Sequence, residues 1–171
     1  MNIKYRKAKI GDMFSILDIL NSVSGDIKDI NFEQFLVAEN ENKIVGCVRI
    51  QNTAGHLKLA SLAVLPDYRK IGIGSALITE ILEKNYKRPV YLFCNAKNEN
   101  FYERFGFKRT EYENLPQVFK KYYSGLLNLK FAGDAGHLIA MVLTSPRQAT
   151  HAWHGGIRAD QSSCAENGFK V

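Results

Sequence analysis

A chain of 171 residues is long enough for one domain with a real core and too short for two ordinary ones. Hydrophobic residues at 46% and charged ones at 23% are an ordinary soluble composition, and no apolar run approaches the length of a membrane span. The net charge of +6 comes from scattered lysines and arginines in runs no longer than two, such as Arg69-Lys70 and Lys120-Lys121. That excludes a concentrated nucleic-acid footprint, and a diffuse positive field suits an anionic cofactor or substrate equally well.

Ile3 to Ala8 alternates apolar and polar and predicts a first strand. The segment before and through it, MNIKYRKAKIGD, has cations but no apolar stretch behind them, so no signal peptide is expected. Asp12 is placed to cap a helix whose apolar positions are Met13, Ile16, Leu17 and Leu20. Residues 22–34 are polar and irregular and predict a loop with a short second helix, or a plain connection. Phe35–Glu39 and Lys43–Gln51 read as a hairpin closed by Asn40-Glu41-Asn42, which suits positive φ. Asn52 to Gly55 makes another short turn into an apolar run from Leu57 to Leu65, so three consecutive strands form an antiparallel meander.

Pro66 and Asp67 stop that third strand, because proline has no N–H to donate and fixes its own φ. Arg69-Lys70-Ile71-Gly72-Ile73-Gly74 follows, and then a helical pattern with Ile73, Leu77, Ile78, Ile81 and Leu82 on one face. The first turn of a helix leaves N–H groups unpaired and carries partial positive charge. Gly72 and Gly74 have no side chain to keep an anion from that backbone, so the stretch reads as a phosphate cradle. It is neither a Walker A loop, whose string is absent, nor a dinucleotide fingerprint, since Leu77 stands where the third glycine would be. The spacing R-x-x-G-x-G at Arg69, Gly72 and Gly74, entered through Leu62-Ala63-Val64-Leu65-Pro66-Asp67-Tyr68, resembles the pyrophosphate loop of the GNAT (Gcn5-related) N-acetyltransferases.

Val90 to Cys94 predicts the next strand. Beyond it Asn98 can cap a short helix through Phe101, Tyr102 and Phe105, which Gly106 ends. Asn95, Tyr102, Gly106 and Phe107 resemble the second GNAT signature, N-x-x-x-x-x-x-Y followed by G-F, with Asn98 where the family has a small residue. Phe107–Tyr112 predicts a strand, Leu115-Pro116 introduces a helix with Val118, Tyr122, Leu126 and Leu127 among its apolar positions, and His137–Thr144 predicts a last strand. This order looks like the GNAT branch that acetylates free amino acids. Residues 145–171 lose periodicity and are expected to form an irregular tail outside a domain at 1–144. His151-x-x-His154 with Cys164 lacks a second paired motif, so no metal site is expected. Cys47, Cys94 and Cys164 are odd in number and far apart, and the first two lie in apolar strand patterns; buried thiols in the cytoplasm are expected rather than disulfides.

The resemblance implies an α/β (α+β) fold: a central mixed, mostly antiparallel sheet, helices on both faces, and a splayed central strand pair. It implies acetyl-CoA as co-substrate and a small-molecule amine, such as an amino acid, as acceptor, with no nucleic acid or membrane as partner and a homodimer left open. Arg69, Lys70, Ile71, Gly72, Ile73, Gly74 and Ser75 would hold the pyrophosphate, with Asn95 and Tyr102 completing the cofactor site. Leu62, Ala63 and Val64 would pair with the pantetheine arm, the Val64 N–H serving as oxyanion donor. Tyr102 would protonate the departing thiolate, although a tyrosine in F-Y-x-x-F-G-F also suits a core position with its hydroxyl at the surface. Residues 22–34 would help shape the acceptor site. The general base is not identified. No Asp or Glu occurs from His56 to Leu65, Lys58 stands where an amino-acid acetyltransferase often has glutamate, and His56 and Glu39 are the candidates. Protein N-terminal or lysine acetylation, and non-catalytic acyl-CoA sensing, are the alternative functions.

Overall fold

The computed structural model describes residues 2–23, 25–85, 87–130 and 137–145. Residues 146–171 of the expected irregular tail, with the His151, His154 and Cys164 trio, lie outside the described residues. Strand β1 (Ile3–Lys7) leads to helix α1 (Met13–Ser22). Asp12 occupies the N-cap as expected, but its carboxylate does not cap the helix. It accepts instead from Arg6 at 2.7 Å and from the Lys9 N–H at 2.7 Å. Of the two forms expected for residues 22–34, the structure has the loop with a short helical piece, a 3-10 turn at Phe32–Gln34, where the Asn31 side chain accepts from the Glu33 N–H.

Strands β2 (Phe35–Asn40), β3 (Lys43–Thr53) and β4 (His56–Val64) form the meander. Its two turns put Glu41 and Asn42 (φ 48° and 66°), then Ala54 and Gly55 (φ 50° and 83°), in the left-handed region that two-residue hairpin loops require. Helix α2 (Ile73–Lys84) then crosses to β5 (Val90–Asn95), followed by α3 (Glu99–Glu103), β6 (Lys108–Thr110), α4 (Gln117–Lys130) and β7 (Leu138–Leu143). Strand β6 is shorter than expected because the chain turns into a 3-10 segment at Tyr112–Asn114.

The seven strands make one sheet in the order β1-β2-β3-β4-β5-β7-β6, antiparallel throughout except where β4 meets β5. Directly paired residues share a face, and alternation then sorts the core. On one face Ile73, Leu77, Ile78, Ile81 and Leu82 of α2 bury against Leu36, Val48, Leu59, Leu92 and Phe107. On the other, Ile16, Ile19 and Leu20 of α1 pack on Phe35, Val37, Cys47 and Ala63, while Phe119 of α4 packs beside Tyr91 and Phe93. All five predicted α2 positions are buried, as are the thiols of Cys47 and Cys94. Burial pushes the Cys47 thiol up to about 12, so it behaves as an apolar side chain.

Two irregularities shape the centre of the sheet. Cys47 pairs with Ala63 but Arg49 pairs with Ala60, so Ser61 and Leu62 together oppose Val48 in a β-bulge, with Ser61 at φ 55°. Strands β4 and β5 pair only at Leu57–Val90 and Lys58–Tyr91, although β4 runs on to Val64 and β5 to Asn95. Beyond Lys58 the two strands diverge.

Candidate active site

The loop after β4 is built by its own local chemistry. Pro66 opens a 3-10 turn, Lys70 (φ 63°) and Gly72 (φ 90°) take left-handed conformations, and Gly72 caps α2. A Cβ on Gly74 would stand 3.8 Å from Val64 Cγ2 and 3.9 Å from Phe101 Cζ, so the glycine leaves open the space between the strand end and α3. The Arg69 Nε donates to the Val64 carbonyl at 2.9 Å and ties the loop to the strand it leaves.

This loop borders a cleft of about 1250 Å³. Leu62, Ala63, Val64, Arg69, Lys70, Ile71, Gly72, Ile73, Gly74, Ser75 and Tyr102 all line it, so the structure brings eleven of the expected site residues together. Asn95 is not in the lining. Its side chain accepts from the Lys97 N–H at 3.0 Å and caps the turn between β5 and α3, a positional role that its place in the signature does not reveal. Asn98, Phe101, Arg104 and Phe105 from the α3 segment, Thr79 and Glu80 of α2, Tyr5 and Val23 are further lining residues. Asn98, Phe101 and Phe105 were legible as positions in and around the short helix but not as site residues. Arg69, Lys70 and Arg104 against Glu80 give the lining an excess of positive charge, which suits a pyrophosphate. Both the charge and the open glycine fit coenzyme A.

The bulge and the splay together orient the backbone. The Leu65 N–H bonds the Val45 carbonyl at 2.9 Å, and Val64 faces Gly46 one step further along. Bonded and non-bonded pairs alternate in an antiparallel ladder, so the N–H and C=O of Val64 turn away from β3 and towards the side from which β5 has diverged. The carbonyl is taken by Arg69, and the N–H faces the cleft. Tyr102 rests edge-on against Phe101 and Phe107, with ring centroids 5.1 and 6.2 Å apart. Burial, reinforced by Cys94, holds its hydroxyl well above the ordinary tyrosine range, so it stays protonated.

Neither expected base lies in the lining. The Glu39 carboxylate accepts from Arg6 Nε at 2.7 Å, and His56 packs beside the Phe119 ring at 6.0 Å. Lys58 is buried, donates to Asp26 Oδ2 at 3.1 Å and lies 3.8 Å from the centre of the Tyr122 ring. Among the described residues no three His, Cys, Asp or Glu side chains are grouped to hold a metal. Among them, too, no helix is long and apolar enough to cross a membrane.

Comparisons with known proteins agree with this geometry. Residues 31–109 match the family model described as an acetyltransferase (GNAT) domain. An uncharacterized N-acetyltransferase of Chlorobaculum tepidum is 28% identical over 125 residues, 66% of this chain and 79% of that protein. The amino-acid acetyltransferase of Shewanella oneidensis is 27% identical over 138 residues, 71% of this chain and 30% of that protein. The crystal structure of N-acetylglutamate synthase from Neisseria gonorrhoeae, complexed with coenzyme A and N-acetyl-glutamate, superposes with a TM-score of 0.69 at 20% identity, over 86% of this chain and 36% of that one. The chain thus spans about a third of the length of the latter two proteins. Motif, splayed sheet, cleft and family model converge on residues 31–109, which match a GNAT acetyltransferase domain, and the chain resembles the GNAT N-acetyltransferases in sequence and fold.

Proposed function

We propose that this chain transfers an acetyl group from acetyl-CoA to the amine of a small molecule, with a free amino acid as the acceptor, by direct attack of the amine on the thioester. The observation that carries the reading is the Val64 N–H, turned into the gap between β4 and β5 in the same cleft as the glycine loop and Tyr102. The unpaired N–H groups at the start of α2 hold the pyrophosphate, with Arg69 and Lys70 supplying charge. The Val64 N–H donates to the carbonyl oxygen as it gains negative charge, and a donor of this kind stabilises the transition state by about 3–4 kcal/mol. As the C–S bond breaks, Tyr102 gives its proton to the sulfur, a contribution of about 10²–10⁴-fold.

The amino-acid acceptor is supported by the amino-acid acetyltransferase among the relatives and by the N-acetyl-glutamate held by the structural neighbour. Residues 1–144 form the transferase domain on this reading, and the buried Cys47 and Cys94 thiols suit the reducing cytoplasm. Release of CoA thiol from acetyl-CoA, with and without a pool of free amino acids, tests it. Amino-acid-dependent release is expected. Turnover with peptides alone would move the acceptor to protein amines, and saturable acetyl-CoA binding with no turnover on either pool would make the chain a sensor.

A further inference from the structure

Val23, at the end of α1, lines the cleft and stands three positions before Asp26 in the sequence. Asp26 is the meeting point of three separate parts of the fold. Its Oδ2 accepts from Lys58 of β4 at 3.1 Å and from the Tyr122 hydroxyl of α4 at 2.9 Å, and its Oδ1 accepts from the Lys28 N–H at 3.0 Å. Its main-chain carbonyl accepts from the Ser61 hydroxyl at 2.7 Å. Arg49, with no exposed surface, donates from Nε to the Ser61 hydroxyl at 3.0 Å and from its two terminal nitrogens to the Asp29 and Lys28 carbonyls at 3.0 and 2.8 Å.

Ser61 is the residue in left-handed conformation at the bulge, three positions before Val64. Such a conformation persists in a residue with a side chain only when its surroundings over-determine it. Here the surroundings are the Arg49 guanidinium and the Asp26 carbonyl. Lys58 alternates with Leu57 and Leu59, which pack towards α2, so the whole cluster lies on the opposite face, between α1 and α4. A buried ammonium and a buried guanidinium without a carboxylate would be costly, and Asp26 lies within 3.1 and 3.7 Å of them.

Resting on the acetyl-transfer reading above, we infer that Asp26 is a positioning residue for the acceptor. It clamps the loop after α1, the β4 bulge and α4 into one wall of the site, so that amine binding depends on it more steeply than binding of the cofactor's pyrophosphate end does. The pyrophosphate loop and α3 contribute nothing to the clamp, which separates the two dependences.

The test uses the full chain carrying Asp26→Asn, with Asp26→Glu as the conservative variant. Tyr122→Phe removes one bond to Asp26 and leaves every charge in place, and it carries the test should Asp26→Asn fail to fold. Amide exchange is followed in peptides covering residues 25–31 and 59–64, binding is measured with CoA itself, and KM is measured for a free amino-acid mixture and for acetyl-CoA. Loss of hydrogen bonds to a charged group is expected to speed exchange in both peptides by about tenfold or more and to raise KM for the amine by a similar factor, with a smaller fall in kcat through the neighbouring Val64 N–H and with CoA affinity changed by no more than about threefold. Asp26→Glu is expected to recover most of the lost amine binding, and Tyr122→Phe to give a smaller effect of the same pattern. Unchanged exchange in both peptides would overturn the inference, and so would a fall in CoA affinity in step with amine binding. A wild-type chain that ignores amino acids would count against the proposed acceptor instead, and the exchange and CoA measurements would still decide the role of Asp26.

Discussion

Replacing Gly74 by alanine should make the protein more stable and a poorer binder of CoA. Gly74 is the second residue of α2, and an added Cβ meets nothing closer than 3.8 Å, so the fold accommodates it without a clash. Alanine in place of a helical glycine adds helix propensity and removes freedom from the unfolded chain, together about 0.5–1 kcal/mol at this early position. For a domain of this size that raises Tm by about 1–4 °C. The same methyl stands between Val64 and Phe101, in the lining of the cleft, where the cofactor would lie against bare backbone. Forfeiting one charge-assisted hydrogen bond to the pyrophosphate costs about 1.5–3 kcal/mol, so the Kd for CoA should rise by about tenfold or more. Thermal melts and calorimetric titration with CoA read the two effects separately. Gly72→Ala supplies the contrast. Nothing lies within 4 Å of its Cβ, but φ is 90°, so strain of about 1–2 kcal/mol should lower Tm. A Gly74→Ala protein that is more stable and binds CoA as tightly as the wild type would refute the cradle.

Tyr102→Phe should lower kcat by about 10²–10⁴-fold while the Kd for CoA stays within about twofold; unchanged turnover would return Tyr102 to a packing role. Acid should unfold the protein through two carboxylates. The Asp12 carboxyl is held below the usual range by its bonds with Arg6, which outweigh burial; for Asp26, burial alone would raise it, but Lys58, the Lys28 N–H and Tyr122 together prevail. Groups depressed in the folded state contribute stability that is complete above their unfolded value near 3.9 and is lost as pH falls through the folded values. Tm should therefore be level with respect to these two groups above about pH 5 and fall below about pH 4, less steeply in Asp12→Asn. A Tm that falls equally in wild type and variant would remove Asp12 from the account.

Much of this was legible before any coordinates. The α2 face announced itself because five apolar residues recur at helical spacing, and the glycine loop did so because close approach of an anion restricts residue choice. The hairpin turns were readable for the same kind of reason, since Asn42 and Gly55 tolerate the φ they adopt. What stayed hidden depends on pairing across distance. Asp26 meets Lys58 and Tyr122 over separations of 32 and 96 residues, and nothing local in Ser24-Gly25-Asp26 reveals it. Residues 22–34 left a short helix and a plain connection equally open, and the short helical piece is confined to Phe32–Gln34 because Arg49 takes the carbonyls of Lys28 and Asp29 before it. The orientation of the Val64 N–H follows from ladder parity and from β5 leaving the pairing, features of backbone geometry that no side chain advertises. Asn95 matched a signature position yet caps a turn, because a short polar side chain after a strand serves either purpose.

The divergence of β4 from β5 also bears on where this sheet carries its unpaired backbone. Unpaired strand edges invite other chains to pair with them, and proteins ordinarily manage the hazard at the rim of a sheet. Here two half-edges, one on each strand beyond Lys58, lie at the middle of a seven-stranded sheet instead. Residues of α2 and α3 line the same opening, so the free backbone of β4 has helices for neighbours. A feature that would promote aggregation at the periphery is kept in the interior, where only a slender ligand can use it.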